Sequence, residues 1–164
     1  MASFCTNITK TNWLTGCCIL GILVNFATPG LAAKPEDLQQ LNRTGNCPNC
    51  DLSYANLNGR NFKGADLQGA NLNAATLRGA NLTGANLTGA TLTNADLRGA
   101  RFSRANLTNA SLAWARVERV RFDQANLTGA MLGGSKLAGA LDLTGATLPN
   151  TKPAFFVLPT RSSR

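Results

Sequence analysis

The chain contains no histidine, a single tyrosine and few aromatic side chains of any kind, 6% of 164 residues. Without imidazole it lacks the usual general base and the commonest neutral metal ligand. Ser-His-Asp triads, histidine-containing zinc sites and haem attachment through Cys-x-x-Cys-His are therefore excluded. Charge is sparse at 15%, and negative charge is the scarcer kind, with 8 Asp and Glu against 16 Lys and Arg. A long apolar run is missing too: Leu14 to Ala27 covers 14 residues, short of the roughly 20 that a membrane helix needs. Small aliphatics are what the chain has in quantity. Apolar residues reach 44% with so few rings among them that a core must be assembled mainly from Leu and Ala. The length allows one domain with appendages.

Residues 1–32 differ from all that follow. A tail carrying Lys10 precedes the apolar run, and Thr28-Pro29-Gly30 breaks it before small residues. This is the pattern of a secretory signal, cleaved after Ala32; an uncleaved anchor is the other reading. Leu14-Thr15-Gly16-Cys17 has the form of a lipoprotein cleavage box, but such a box closes an apolar region and this one opens it. Residues 33–49 form a cap and lead-in. Lys34 to Gly45 is predicted as a short helix, with Pro35 at its first position, Glu36 and Asp37 in its first turn and Gly45 at its end. Leu38 and Leu41 share a face, and a helix this short needs something to lie on. The end of the next segment is the expected seat.

From Cys50 the chain repeats every five residues. Taking Leu52 as the first centre, eighteen centres follow in register to Leu137: fourteen Leu, three Phe (Phe62, Phe102, Phe122) and Val117. Two residues before the centre, fourteen of eighteen positions are Ala, the exceptions being Cys50, Arg60, Val120 and Ser135. A period of five fits neither helix nor strand. Short units that bury a face only by stacking on their neighbours indicate a solenoid. Four such units close a square coil of twenty residues, with Leu or Phe inside, Ala where corners crowd, and the frequent Gly two residues after the centre serving the turns.

The pattern Ala-[Asp/Asn]-Leu-x-x, as in Ala65-Asp66-Leu67-Gln68-Gly69 and Ala85-Asn86-Leu87-Thr88-Gly89, resembles the pentapeptide-repeat family. The resemblance implies an all-β solenoid, a right-handed quadrilateral β-helix of about five coils over residues 50–148, behind a short N-terminal capping helix. It implies no catalysis and no cofactor. The head Cys47-Pro48-Asn49-Cys50-Asp51-Leu52, following a signal-like segment, is similar to exported cyanobacterial members.

Residues twenty apart share a side, so Phe62, Leu82, Phe102 and Phe122 should form one internal column. After Leu137 the next centres are Leu143 and Leu148, which requires one extra residue, expected near Ala140-Leu141. Residues 149–164 form a cap or tail. Its apolar stretch, Phe155 to Leu158, either covers the open sheet end, which would otherwise invite aggregation, or docks on a partner.

Cys47 and Cys50 are the one candidate for chemistry. Both positions face inward in the repeat frame. An exported chain meets an oxidising compartment, so a structural disulfide is the first reading, with a thiol-disulfide redox pair and free buried thiols as the others. Zinc would want four ligands, more than two cysteines supply. Gly133-Gly134-Ser135-Lys136-Leu137 falls short of a nucleophile elbow, because Leu137 stands where the closing glycine belongs. The Asn-Leu-Thr sequons are products of the repeat. Asp66 and Asp96 lie on different sides, so no carboxylate pair is expected, and neither is an enzyme.

Beyond residue 32 there are 15 basic and 8 acidic residues. Arg78 and Arg98 stack on one side. Lys63, Arg101, Arg104 and Arg121 lie on the adjacent, Phe-bearing side. Such a basic face either keeps a rod soluble or attracts an acidic protein or an anionic membrane surface. Arg60, at an inward Ala position, should reach out at a corner or bond the lid, since a buried unpaired charge is too costly. The leading expectation is a non-catalytic exported scaffold in the periplasm or, in a cyanobacterium, the thylakoid lumen. No small-molecule substrate is implied. A DNA-mimic, gyrase-interacting role is disfavoured by the basic charge and the export signal. Nucleic-acid binding is disfavoured by export and by an expected near-absence of exposed aromatics.

Overall fold

Each five-residue unit folds as a tight turn because the carbonyl of its centre is capped by the N–H at the next Ala position. The N–H of Ala55 donates to the carbonyl of Leu52 at 3.1 Å, and the same bond recurs along the chain. The residue two after each centre has positive φ, as at Gly89 (67°), which is the requirement of a type II turn. A computed structural model describes residues 33–135, 139–140 and 142–149. The signal-like segment 1–32 with Cys5, Cys17 and Cys18, the centre Leu137, and the tail from Phe155 to Leu158 lie outside the described residues.

Turn after turn, the extended residue just before each centre pairs with its equivalent in the next coil. Four ladders of parallel bridges result. The first side runs Asp51, Asn71, Thr91, Ser111, Met131; the second Asn56, Thr76, Asp96, Arg116. The third runs Asn61, Asn81, Arg101, Arg121, Asp142, and the fourth Asp66, Asn86, Asn106, Asn126, Thr147. Asn71, for instance, donates its N–H to the Cys50 carbonyl and accepts from the Leu52 N–H, both at 2.8 Å. Backbone polar groups are thus satisfied between coils, as a parallel sheet requires.

Inside, the centres from Leu52 to Leu127 and the Ala positions from Ala55 to Ala130 are buried; Arg60, at the same frame position, is exposed. Phe62, Leu82, Phe102 and Phe122 occupy successive levels of the third side, and the Phe102 and Phe122 rings stack at 5.4 Å between centroids. Rings placed one above another fill a wider level without displacing the Leu columns on the other three sides.

Outside, the fourth side carries a continuous side-chain chain. Thr88 Oγ1 donates to Asn86 Oδ1, Asn106 Nδ2 donates to Thr88 Oγ1, and Thr108 and Asn126 continue the alternation to Thr128. These groups satisfy one another, leaving that side uncharged from Asn86 onward.

Helix α1, Pro35–Thr44, opens the described chain, with Gly45 closing it in the left-handed conformation (φ 73°). Leu41 is buried against the first coil and Leu38 packs beside it. Asp37 Oδ2 accepts from the Asp51 N–H at 2.7 Å, and the Lys34 N–H donates to the Asp51 carbonyl at 3.1 Å. Arg60 is exposed and its guanidinium donates to Asn42 Oδ1 on this helix. The Cys47 N–H donates to Asp66 O, so the lead-in forms a partial coil above the fourth side.

The register slip is present but sits earlier than the leucines suggest. Trp114 N–H pairs with Gly133 O, nineteen residues on, whereas Arg119 N–H pairs with Gly139 O, twenty residues on. The additional residue therefore lies between Gly133 and Gly139, not at Ala140-Leu141. Gly133, Gly134 and Gly139 offer the backbone freedom that an insertion needs. Beyond it the bridges Arg121–Asp142 and Asn126–Thr147 span twenty-one residues in place of twenty.

Candidate functional site

Every Lys and Arg between residues 50 and 135 belongs to a unit of the second or third side: Arg60, Arg78, Arg98, Arg101, Arg116, Arg119 and Arg121, with Lys63 and Arg104 in the turns that lead from the third side to the fourth. The segregation follows from the repeat, because residues twenty apart are carried to the same side whatever their chemistry. The first and fourth sides hold Asp51 and Asp66 at their start and are otherwise neutral as far as Ser135.

On the third side, Lys63 and Arg101 are exposed and engage no side-chain partner among the described residues. Arg104 Nε donates to Gln124 Oε1 at 2.8 Å, and Arg121 Nε lies 3.6 Å from Asp123 Oδ1. The second side is organised differently. Asp96 is nearly buried, and Arg98 grips it through both Nε to Oδ1 and Nη2 to Oδ2, each at 2.8 Å. Arg78 Nε donates to Oδ2 at 2.7 Å, and Arg116 Nη1 stands 4.0 Å away. The hydrogen bonds from Arg98 hold the Asp96 carboxyl far below its ordinary value; burial opposes the shift and Arg78 adds to it. In return, Asp96 raises Arg98. Asp51 is also lowered, chiefly by its bond with Ser53.

Arg78, Arg98, Gly99, Glu118 and Arg119 line an open cleft. A second cleft, lined by Trp114, Arg116, Val117, Glu118 and Gly134 among others, adjoins it through Glu118. Trp114 is 68% exposed, and Tyr54 and Met131 are exposed on the same first side. The expectation of almost no exposed aromatics is thus corrected: two rings stand at the third turn position, where the backbone points a side chain outward. Among the sequence-predicted residues, Arg78 and Arg98 come together, while Lys63, Arg101, Arg104 and Arg121 form a looser row. Arg116, Arg119 and Trp114 were not singled out, and Asp96 was read only as a carboxylate without a pair. The signal for Asp96 was an eighteen-residue spacing, from the residue after one centre to the residue before the centre of the next coil, as in Arg78 to Asp96.

Cys47 and Cys50 are both buried and joined by a disulfide beneath α1. Cys47 Sγ lies 3.2 Å from the Asp37 carbonyl oxygen.

The family model described as pentapeptide repeats matches eight copies over residues 46–84, 85–124, 105–141 and 118–152. Proteins of that family are right-handed quadrilateral β-helices. Among solved structures, the chain is similar to HetL, a pentapeptide repeat protein involved in heterocyst differentiation regulation in the cyanobacterium Nostoc sp. strain PCC 7120. Identity is 33% and the TM-score 0.52, over 65% of this chain and 52% of HetL, so the match spans about half of that protein. A pentapeptide repeat protein of the Arabidopsis thaliana thylakoid lumen is 43% identical over 51% of this chain and 61% of its own, with a TM-score of 0.34. Another from Nostoc PCC 7120 is 31% identical over 74% and 90%, with a TM-score of 0.41. A comparison with curated protein sequences found no match.

Proposed function

The chain belongs to the pentapeptide repeat family, and from that premise we propose that it is a non-catalytic, exported scaffold whose rigid, one-sidedly basic face binds a protein or an anionic surface. The observation that carries the reading is the confinement of the solenoid's cations to two adjacent sides. A rod that needed charge only for solubility would gain nothing from leaving two sides neutral. The backbone ladders support the role by holding the cations at fixed spacing, which spares binding much of the cost of ordering them. Export rests on the sequence pattern of residues 1–32, with the periplasm or, in a cyanobacterium, the thylakoid lumen as destination. In that setting the buried Cys47–Cys50 pair serves as a clasp between cap and first coil rather than as a redox centre.

Retention on anionic phospholipid vesicles and on an immobilised acidic protein, followed as salt is raised, tests the reading. The native chain should be held at low salt and released as screening shortens the reach of its charges. Reversing both Arg101→Glu and Arg121→Glu should abolish retention on whichever surface holds it. Binding that ignores both salt and reversal would overturn the proposal.

A further inference from the structure

Five consecutive turns, from Arg104 to Gln124, do without the Gly that serves many of the others at positive φ. Two of them, Trp114 (φ 59°) and Arg119 (φ 60°), place large side chains at either end of the second side. Bulky residues are held in this conformation at a cost, and such positions concentrate at ligand-binding sites. Here the two residues bracket the second side at the level where the two clefts meet at Glu118.

The donors left over in the first cleft define its ligand. Asp96 takes up Nε and Nη2 of Arg98 but only Nε of Arg78, so neither terminal nitrogen of Arg78 is hydrogen-bonded to it. The Arg119 guanidinium engages no partner among the described residues. Two guanidinium forks are therefore available, and a planar carboxylate is the group that such forks hold in pairs of parallel bonds. Glu118 on the rim works against a multiply charged phosphate and leaves room for single negative charges. Next to it, across Glu118, stands an exposed indole with Val117 and the bare backbone of Gly134 beneath it. A ring at the centre of a contact, with arginines beside it, is the composition that dominates binding energy between proteins.

We infer that the second side, between Arg78 and Trp114, docks an acidic protein segment, with a carboxylate in the Arg78–Arg98–Arg119 cleft and a neighbouring apolar side chain on Trp114. The inference rests on the proposed binding role of the basic face and names its partner. Charge complementarity carries the choice of occupant, together with the discreteness of the site. A lipid surface would draw on the wider row of Lys63, Arg101 and Arg104 and would have no need of the indole at the far corner.

The test uses the full chain and a fluorescent peptide of alternating Glu and Leu, beside its Gln-Leu counterpart, at fixed salt. Tight, saturable binding of the Glu peptide, at least tenfold stronger than the Gln peptide, is expected. Trp114→Gly and Arg119→Gly restore the residue that the turn prefers, so their folding can be verified by urea melts; each should weaken the Glu peptide about tenfold. Neutral changes on the third side, Lys63→Ala with Arg101→Ala, should alter it no more than about twofold. The inference is overturned if the third-side pair abolishes binding while the two Gly variants leave it intact. It is also overturned if the peptide fails to bind while phosphatidylglycerol vesicles are captured, although the basic-face reading would then survive. Absence of binding to peptide, acidic protein and vesicles alike would remove both.

Discussion

At the scale of the residue, the fold depends on two positions in each unit, the centre and the turn. Truncating Phe102→Ala opens a void between Phe122 and Leu82 and should cost about 3–5 kcal/mol in a urea melt. Phe102→Leu keeps most of the volume and matches the level below, so it should cost less than about 1.5 kcal/mol. At the turn, Gly89 has open space where a Cβ would sit, so Gly89→Ala isolates the backbone penalty. A loss of about 1–2 kcal/mol is expected. No loss in that variant would mean that the turns relax around a side chain, those of Trp114 and Arg119 included.

At the scale of the element, the cap and the ion cluster answer to different variables. Helix α1 is tied to the first coil by Leu41, by Asp37 and by the bonds of Lys34 and Arg60. Asp37→Ala should lower hydrogen-exchange protection at the Asp51 amide while leaving the amides of coils beyond Leu92 unchanged. Uniform loss along the rod would show that the cap and the coils unfold as one unit. The Asp96 cluster responds to pH. Because the folded carboxyl is held below its ordinary 3.8, its contribution is complete above that value and is lost as acid protonates it further down. Stability of the native chain should therefore fall between about pH 4 and pH 2 more steeply than that of Asp96→Asn. Parallel slopes would mean that the arginines gain nothing from their shared carboxylate.

Much of this was legible in the residues, and the limits have physical causes. A period of five, folded by four, places Phe62, Leu82, Phe102 and Phe122 on one side, because identical units leave the chain no freedom to do otherwise. The bounds of α1 follow from Pro35 and Gly45. Twenty-residue spacing finds like groups stacked upon like, but Asp96 reaches Arg78 across eighteen residues and Arg98 across two. A search for columns passes over both. The slip was misplaced for a similar reason: leucines mark centres, whereas the extra residue is absorbed where glycine lets the backbone deviate.

For the whole molecule, parallel ladders and a single core make each coil a neighbour only of the next, so stability should grow with coil number. Duplicating residues 91–110 in tandem should raise the urea midpoint and lengthen the rod by about 4.8 Å, one strand spacing. A lower midpoint would show that the ends, rather than the interior coils, limit stability. The repeat itself contains no instruction to stop, since every level offers the next the same template. The extra residue between Gly133 and Gly139 acts in this one-dimensional lattice as a dislocation does in a crystal. Coils copied below it extend the lattice and carry the charged sides with them, whereas anything added above starts from an altered step. The third and fourth ladders nevertheless cross it, at Arg121–Asp142 and Asn126–Thr147, with one more residue to the level.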